Sequence, residues 1–91
     1  MAGRIDDELQ QEVSRLESTE PEREIPVIVN LNDWSKRGEV KEKGLKVEHE
    51  FENISALSGT LTPAEVKDVS QLGQVESIEF DGEVRAISGG G

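Results

Sequence analysis

The chain has 91 residues, of which 33% are hydrophobic and 3% aromatic, so we expect one small domain with too little apolar material for a deep cofactor pocket. Twenty acidic residues against ten basic ones give a formal net charge of −10, which argues against nucleic acid and anionic membrane surfaces as partners. The sequence contains no cysteine, no stretch that could span a bilayer and no visible signal peptide, so it leaves open whether the protein is cytoplasmic or secreted.

The first segment has the pattern of an amphipathic helix. Ile5, Leu9, Val13 and Leu16 recur at spacings of four, four and three, which places them on one helical stripe. A polar stretch with a proline follows and is typical of a linker. We therefore predict three parts: a helix and linker at 1–24, the domain proper at 25–83, and an extended tail at 84–91.

The domain proper opens with a β-branched run at 25–31, which predicts a strand. Residues 32–44 begin with a capping residue and end on Gly44, but Gly38 in the middle limits the prediction to one or two short helical turns. The segment 45–51 alternates strictly and predicts a half-buried strand with Leu45, Val47, His49 and Phe51 on one side.

A turn at Glu52 and Asn53 leads into a returning strand at 54–61. The period of two divides its side chains into two sets. One face carries Ser55, Leu57, Gly59 and Leu61, and the opposite face carries Ala56, Ser58 and Thr60.

Strong local signals mark the next helix. Thr62 is a helix cap, Pro63 fills the first helical position, and Glu65 completes a capping box. The apolar stripe runs to Gly73, where the helix is expected to end. A last strand at 75–80 then places Ile78 and Phe80 inward, and Ser77, Glu79 and Asp81 on the outer face.

This order of elements predicts an α+β fold of ferredoxin-like type, βαββαβ, with two helices on one face of a four-stranded antiparallel sheet. The N-terminal helix is additional. The other face of the sheet would carry small and polar side chains and be open for a partner. Its predicted members are Ala56, Ser58, Thr60, Ser77 and Glu79.

The segment FENISALSGTLTPAEVKDVSQLGQVESIEFDGEV, residues 51–84, resembles the propeptide domain of subtilisin-like serine proteases and related free-standing inhibitors. The matching pattern is an aromatic residue, a turn, a strand ending in Leu-Thr, a helix containing Glu and Val, and an acidic strand ending in Asp. The wider resemblance covers 25 to about 87. The chain departs from the pattern at Ala56, where many relatives have glycine, and in a shorter first helix.

The resemblance implies an inhibitor and folding chaperone of a subtilisin-like serine protease. Its helix-free sheet face would dock on two surface helices of the protease, with Glu79 and Asp81 as anchors at the helix N-termini. The tail would lie in the active-site cleft, and the last four subsites would hold Val84, Arg85, Ala86 and Ile87. Because a β-branched residue suits the primary pocket poorly, the resemblance also allows a shifted register or a slowly cleaved inhibitor.

Other functions fit the sequence less well. His49 lies on the apolar side of its predicted strand, and no serine has the context of an activated nucleophile, so we expect no enzyme, no cofactor and no metal. A ubiquitin-like modifier that uses the C-terminal glycines remains the alternative, although the order of elements differs from that fold. A ferredoxin-like regulatory domain lacks a recognisable ligand loop.

Overall fold

The computed structural model describes residues 4–81 and shows an α+β domain in which three helices pack on a mixed five-stranded sheet. The strands are β1 (Arg4–Ile5), β2 (Ile25–Leu31), β3 (Lys46–Phe51), β4 (Ala56–Leu61) and β5 (Val75–Phe80). The helices are α1 (Asp7–Thr19), α2 (Arg37–Glu42) and α3 (Pro63–Ser70), with short 3₁₀ turns at Trp34–Lys36 and Glu52–Ile54.

The spatial order of the strands is β1-β5-β2-β4-β3. The four strands from β2 to β5 pair antiparallel, as the sequence predicts. The fifth strand, β1, pairs parallel with β5 through Arg4 opposite Ser77 and Ile5 opposite Ile78. The prediction of a four-stranded, purely antiparallel sheet is therefore wrong in strand number and in one strand pair.

The N-terminal segment forms a helix that begins later than predicted. Ile5, which the spacing pattern assigns to the helical stripe, belongs to β1. Asp6 separates strand from helix: its backbone N–H donates to Ile78 O at 2.9 Å, and its carboxylate accepts from Glu8 N at 3.2 Å. The residue that extends the sheet ladder is thus also the N-cap of α1.

The core lies between the sheet and the three helices. α1 contributes Leu9, Val13 and Leu16, which are all but fully buried. They meet apolar residues of β2, β4, β5 and the other two helices, in a cluster that includes Val27, Val29, Val40, Leu57, Leu61, Val66, Val69 and Ile78. α1 therefore packs on the same side of the sheet as α2 and α3, whereas the division of the chain at residue 24 stays a prediction.

A bulge in β3 overturns the predicted alternation of that strand. Val47 pairs with Gly59, but the next paired residue is His49, opposite Ser58, because Glu48 is the extra residue. Past the bulge, His49 and Phe51 share a face with Ser58 and Ala56, opposite the side predicted for them.

The turn before β4 is also longer than predicted. Residues Glu52–Ile54 form a 3₁₀ turn, and Ser55 adopts a left-handed conformation with φ 54°. Ser55 thus belongs to the turn, and β4 begins at Ala56, two residues later than the sequence indicates.

The predicted start of the capped helix is confirmed, whereas its end lies at Ser70, before the predicted Gly73. Thr62 Oγ1 accepts from Glu65 N at 3.4 Å, and the Glu65 carboxylate accepts from Thr62 N at 3.0 Å. Pro63 occupies the first turn and is buried. These reciprocal bonds satisfy two backbone donors at the helix start and fix α3 directly after β4.

Candidate docking surface

The side of the sheet opposite the three helices is called here the outer face. Strand register arranges its side chains in rows across the sheet. The first row holds Phe51, Ala56, Asn30, Ser77 and Arg4; the second holds His49, Ser58, Ile28 and Glu79; the third holds Lys46, Thr60 and Pro26. None of the three helices covers this face in the part of the chain between residues 4 and 81.

Ala56, Ser58 and Thr60, predicted as exposed binding residues, lie together on this face at β4. Ala56 is completely buried and Ser58 is only 6% exposed, because larger side chains of β2 and β3 stand on both sides of them. Thr60 is half-buried. These three residues form the floor of the outer face, and the residues around them are the ones that project from it.

Two of the projecting residues are apolar. Ile54 is 64% exposed and Phe51 is 39% exposed, and they are the exposed large hydrophobic residues among the described ones. The ring centroids of Phe51 and His49 are 6.0 Å apart. The bulge at Glu48 carries His49 and Phe51 to the outer face, so the strict alternation of this strand could not predict them there.

Glu79 lies on the opposite border of the face and is exposed. Its Oε2 accepts a long hydrogen bond from Asn30 Nδ2 at 3.4 Å, and the same amide group donates to Ser77 Oγ at 3.0 Å. Asn30, which the sequence analysis did not single out, thus links β2 to both predicted outer-face residues of β5.

Asp81 follows β5, and its backbone N–H donates to Pro26 O at 2.9 Å. This bond carries the antiparallel ladder one residue past the end of the strand. The four predicted tail residues, Val84, Arg85, Ala86 and Ile87, lie outside the described residues.

An exposed ion pair lies beside Thr60. Lys46 Nζ bonds to the Glu24 carboxylate, which also accepts from Thr60 Oγ1 at 3.4 Å. The hydrogen bond from Lys46 lowers the pKa of Glu24, and the same bond raises the pKa of Lys46. At this end of the outer face, the charges of Lys46 and Glu24 are thus paired with each other.

The described residues offer no alternative chemistry. Between positions 4 and 81 no group of three or more histidine and carboxylate side chains could hold a metal ion. No helix in this range is long and apolar enough to cross a membrane.

The family model for peptidase inhibitor I9 matches residues 2–86. The chain belongs to the peptidase inhibitor I9 family. This confirms the resemblance to subtilisin propeptides, and it makes the I9 chain a peptidase inhibitor and not an enzyme. The family binds subtilisin-like peptidases, and the ubiquitin-like alternative has no support. No curated protein and no solved structure matches the chain.

Proposed function

We propose that the chain inhibits a subtilisin-like serine peptidase by docking through its outer face and placing its C-terminal tail in the active-site cleft. The observation that supports this most is that, within residues 4–81, no helix of this I9 domain covers the outer face. This face combines a floor of small side chains at Ala56 and Ser58 with exposed apolar residues at Phe51 and Ile54. In a chain of net charge −10, such a surface is suited to lose water on binding.

Glu79 supplies the charged part of the proposed contact. A helix N-terminus exposes backbone N–H groups and carries partial positive charge, so it binds carboxylates. Glu79 is exposed at the border of the face, and its carboxylate accepts a 3.4 Å bond from Asn30. We propose that it meets the N-terminus of one peptidase helix, with Asp81 near a second.

The tail completes the proposal. Residues 84–87 directly follow the segment that leaves β5, and an extended peptide gains main-chain hydrogen bonds when it adds to the edge of a cleft. Its side chains would then fill pockets of the cleft, with Val84 in the fourth subsite and Ile87 in the primary one. A β-branched primary residue should slow cleavage of the chain.

A folding role follows from the same surface. α3 is fixed to β4 by its capping box, and Ile25–Leu31 pairs on both sides, so the outer face is preorganised before it meets a partner. We propose that this rigid face supports the helix pair of an incompletely folded peptidase.

The direct test is titration of several subtilisin-type peptidases with the full chain and with a truncated chain ending at Asp81. We expect inhibition constants from about 1 nM to 1 μM for the full chain and a large loss for the truncated one, since it keeps the face and lacks the tail. Failure of the full chain to inhibit any of the peptidases would reject the proposed function. Equal inhibition by both chains would reject the role of the tail alone.

A further inference from the structure

We infer that β1 is part of the docking surface and that Arg4 forms an ion pair there with an acidic side chain of the bound peptidase. This inference rests on the proposed function, because it names one contact of the same face. The observation behind it is the fifth strand, which widens the sheet beyond the four strands that the sequence predicts.

The register of β1 decides where Arg4 lies. Ile5 pairs with Ile78 and packs against the core, whereas Arg4 pairs with Ser77, whose side chain lies on the outer face. Since neighbouring residues of a strand point to opposite faces, Arg4 belongs to the outer face. It adds a cation to the border where Glu79 lies.

The position of Arg4 is fixed by its neighbours in the chain. Asp6 N donates to Ile78 O at 2.9 Å and holds the end of β1 against β5. Asp6 also caps α1, which is anchored in the core through Leu9 and Val13. The backbone that carries Arg4 is therefore tied to the sheet and to the helical layer, so the cation is presented at a defined place.

Arg4 has no ionic partner among the described residues. Between positions 4 and 81 there are nine lysines and arginines, and six of them form ion pairs: Arg15, Arg23, Arg37, Lys41, Lys46 and Lys67. Within that range no carboxylate oxygen lies within 4.0 Å of the Arg4 guanidinium. Of the other three cations in this range, Lys36 ends a 3₁₀ turn and Lys43 follows α2, whereas Arg4 lies on a strand of the sheet. Arg4 is therefore the one of these three that the outer face presents to another molecule.

Arg4 lines a hollow on the surface. This hollow has a volume of about 400 Å³, and its other lining residues include Asn30, Ile54, Glu76 and Glu79. If the N-terminus of a peptidase helix contacts Glu79, peptidase side chains next to that helix end would enter this hollow. A guanidinium binds a carboxylate through two parallel hydrogen bonds, so an aspartate or glutamate fits Arg4 best.

The test measures inhibition constants of Arg4→Ala and Arg4→Glu against a peptidase that the unmodified chain inhibits. We expect the inhibition constant to rise about 5-fold for Arg4→Ala and about 30-fold for Arg4→Glu, with the effect of Arg4→Glu shrinking as salt is raised. The matched control is Lys43→Glu. It makes the same change of charge at an exposed cation that has no ion pair in the described range and follows α2 on the helical side. The inhibition constant of Lys43→Glu should stay within about 2-fold of that of the unmodified chain.

Three results would overturn the inference. Unchanged inhibition by Arg4→Glu, together with weaker inhibition by Glu79→Ala, would place β1 outside the contact and leave the proposed function standing. Tighter inhibition by Arg4→Ala would mean that Arg4 competes with the partner for Glu79. If the unmodified chain inhibits none of the peptidases, the proposed function and this inference fail together. Equal melting temperatures of the variants would exclude loss of folding as the cause of any change.

Discussion

At the scale of single residues, Gly59 accounts for the main error in predicting the outer face. A Cβ built on Gly59 would lie 2.1 Å from Lys46 O, so only glycine lets the two strands approach beside the bulge at Glu48. An isolated glycine within a strand is a known signal of such an approach. The alternation of residues 45–51 takes no account of this glycine, and it predicts the wrong face for His49 and Phe51.

We predict that Gly59→Ala lowers the free energy of unfolding by about 1 to 3 kcal/mol, because the new methyl group would meet backbone that cannot move aside cheaply. Gly38→Ala is the matched control: a Cβ there meets nothing within 4 Å, and the residue lies in α2. The control should raise the free energy of unfolding by about 0.5 to 1 kcal/mol. Urea denaturation measures both, and a Gly59→Ala chain as stable as the unmodified one would contradict the close approach.

Glu79 and Asp81 carry the charged part of the proposed contact. The double variant Glu79→Ala, Asp81→Ala should weaken peptidase binding by roughly 1 to 3 kcal/mol if the carboxylates meet helix ends. Glu42→Ala, Asp68→Ala removes the same charge from exposed positions on α2 and α3 and should bind as the unmodified chain does. Calorimetric titration compares them, and equal affinities for both double variants would remove the two acids from the mechanism.

At the scale of elements, the sequence predicts those helices and strands whose bounds are set by residues close together in the chain. Thr62, Pro63 and Glu65 specify the start of α3 within four residues of chain, and the structure confirms that start. The two-residue strand β1 carries no such local signal, since its existence depends on pairing with β5 across more than seventy residues. The same holds for the contact of β3 with α2, which no spacing in the sequence indicates.

That contact is an ion-pair cluster. Because of the bulge, Glu50 lies on the helical side, where its carboxylate meets Lys41 Nζ at 2.5 Å and Arg37 Nε at 3.5 Å. The hydrogen bond from Lys41 is the main cause that lowers the pKa of Glu50, and Arg37 adds to it. Because folding lowers the pKa of Glu50, the cluster contributes its full stabilisation at pH values above 4.5, the ordinary pKa of this carboxyl group. This stabilisation is lost as pH falls through the lower folded value.

We therefore predict that Glu50→Gln flattens the pH dependence of the melting temperature below about pH 4.5 and lowers the melting temperature slightly at neutral pH. The control is Glu48→Gln in the same strand, since Glu48 forms no ion pair within residues 4–81. Melting curves from pH 3 to 7 distinguish the two. Identical acid profiles for Glu50→Gln and the unmodified chain would show that the cluster does not couple β3 to α2.

At the scale of the whole molecule, all three helices lie on one side of the sheet. The sequence predicts this arrangement for α2 and α3, because the order of elements is that of a ferredoxin-like fold with two helices on one face of the sheet. It could not place α1, because no spacing in the sequence indicates against which elements the stripe of Leu9, Val13 and Leu16 packs. The packing of these residues in the shared core places α1 on the helical side, so within residues 4–81 no helix covers the outer face. The proposed inhibition depends on that result.

The measurement that tests this most directly is protection of a single introduced cysteine from alkylation. The chain has no cysteine of its own. The substitution His49→Cys therefore places a single thiol on the outer face, and Gln71→Cys places it directly after α3, on the helical side. Both chains are mixed with a subtilisin-like peptidase whose nucleophilic serine is replaced by alanine, at about 100 times the dissociation constant. We expect alkylation of His49→Cys to slow at least about tenfold, since about 1% of the chain is then unbound, while Gln71→Cys reacts at its free rate. Protection of Gln71→Cys with unchanged reactivity of His49→Cys would contradict docking through the outer face.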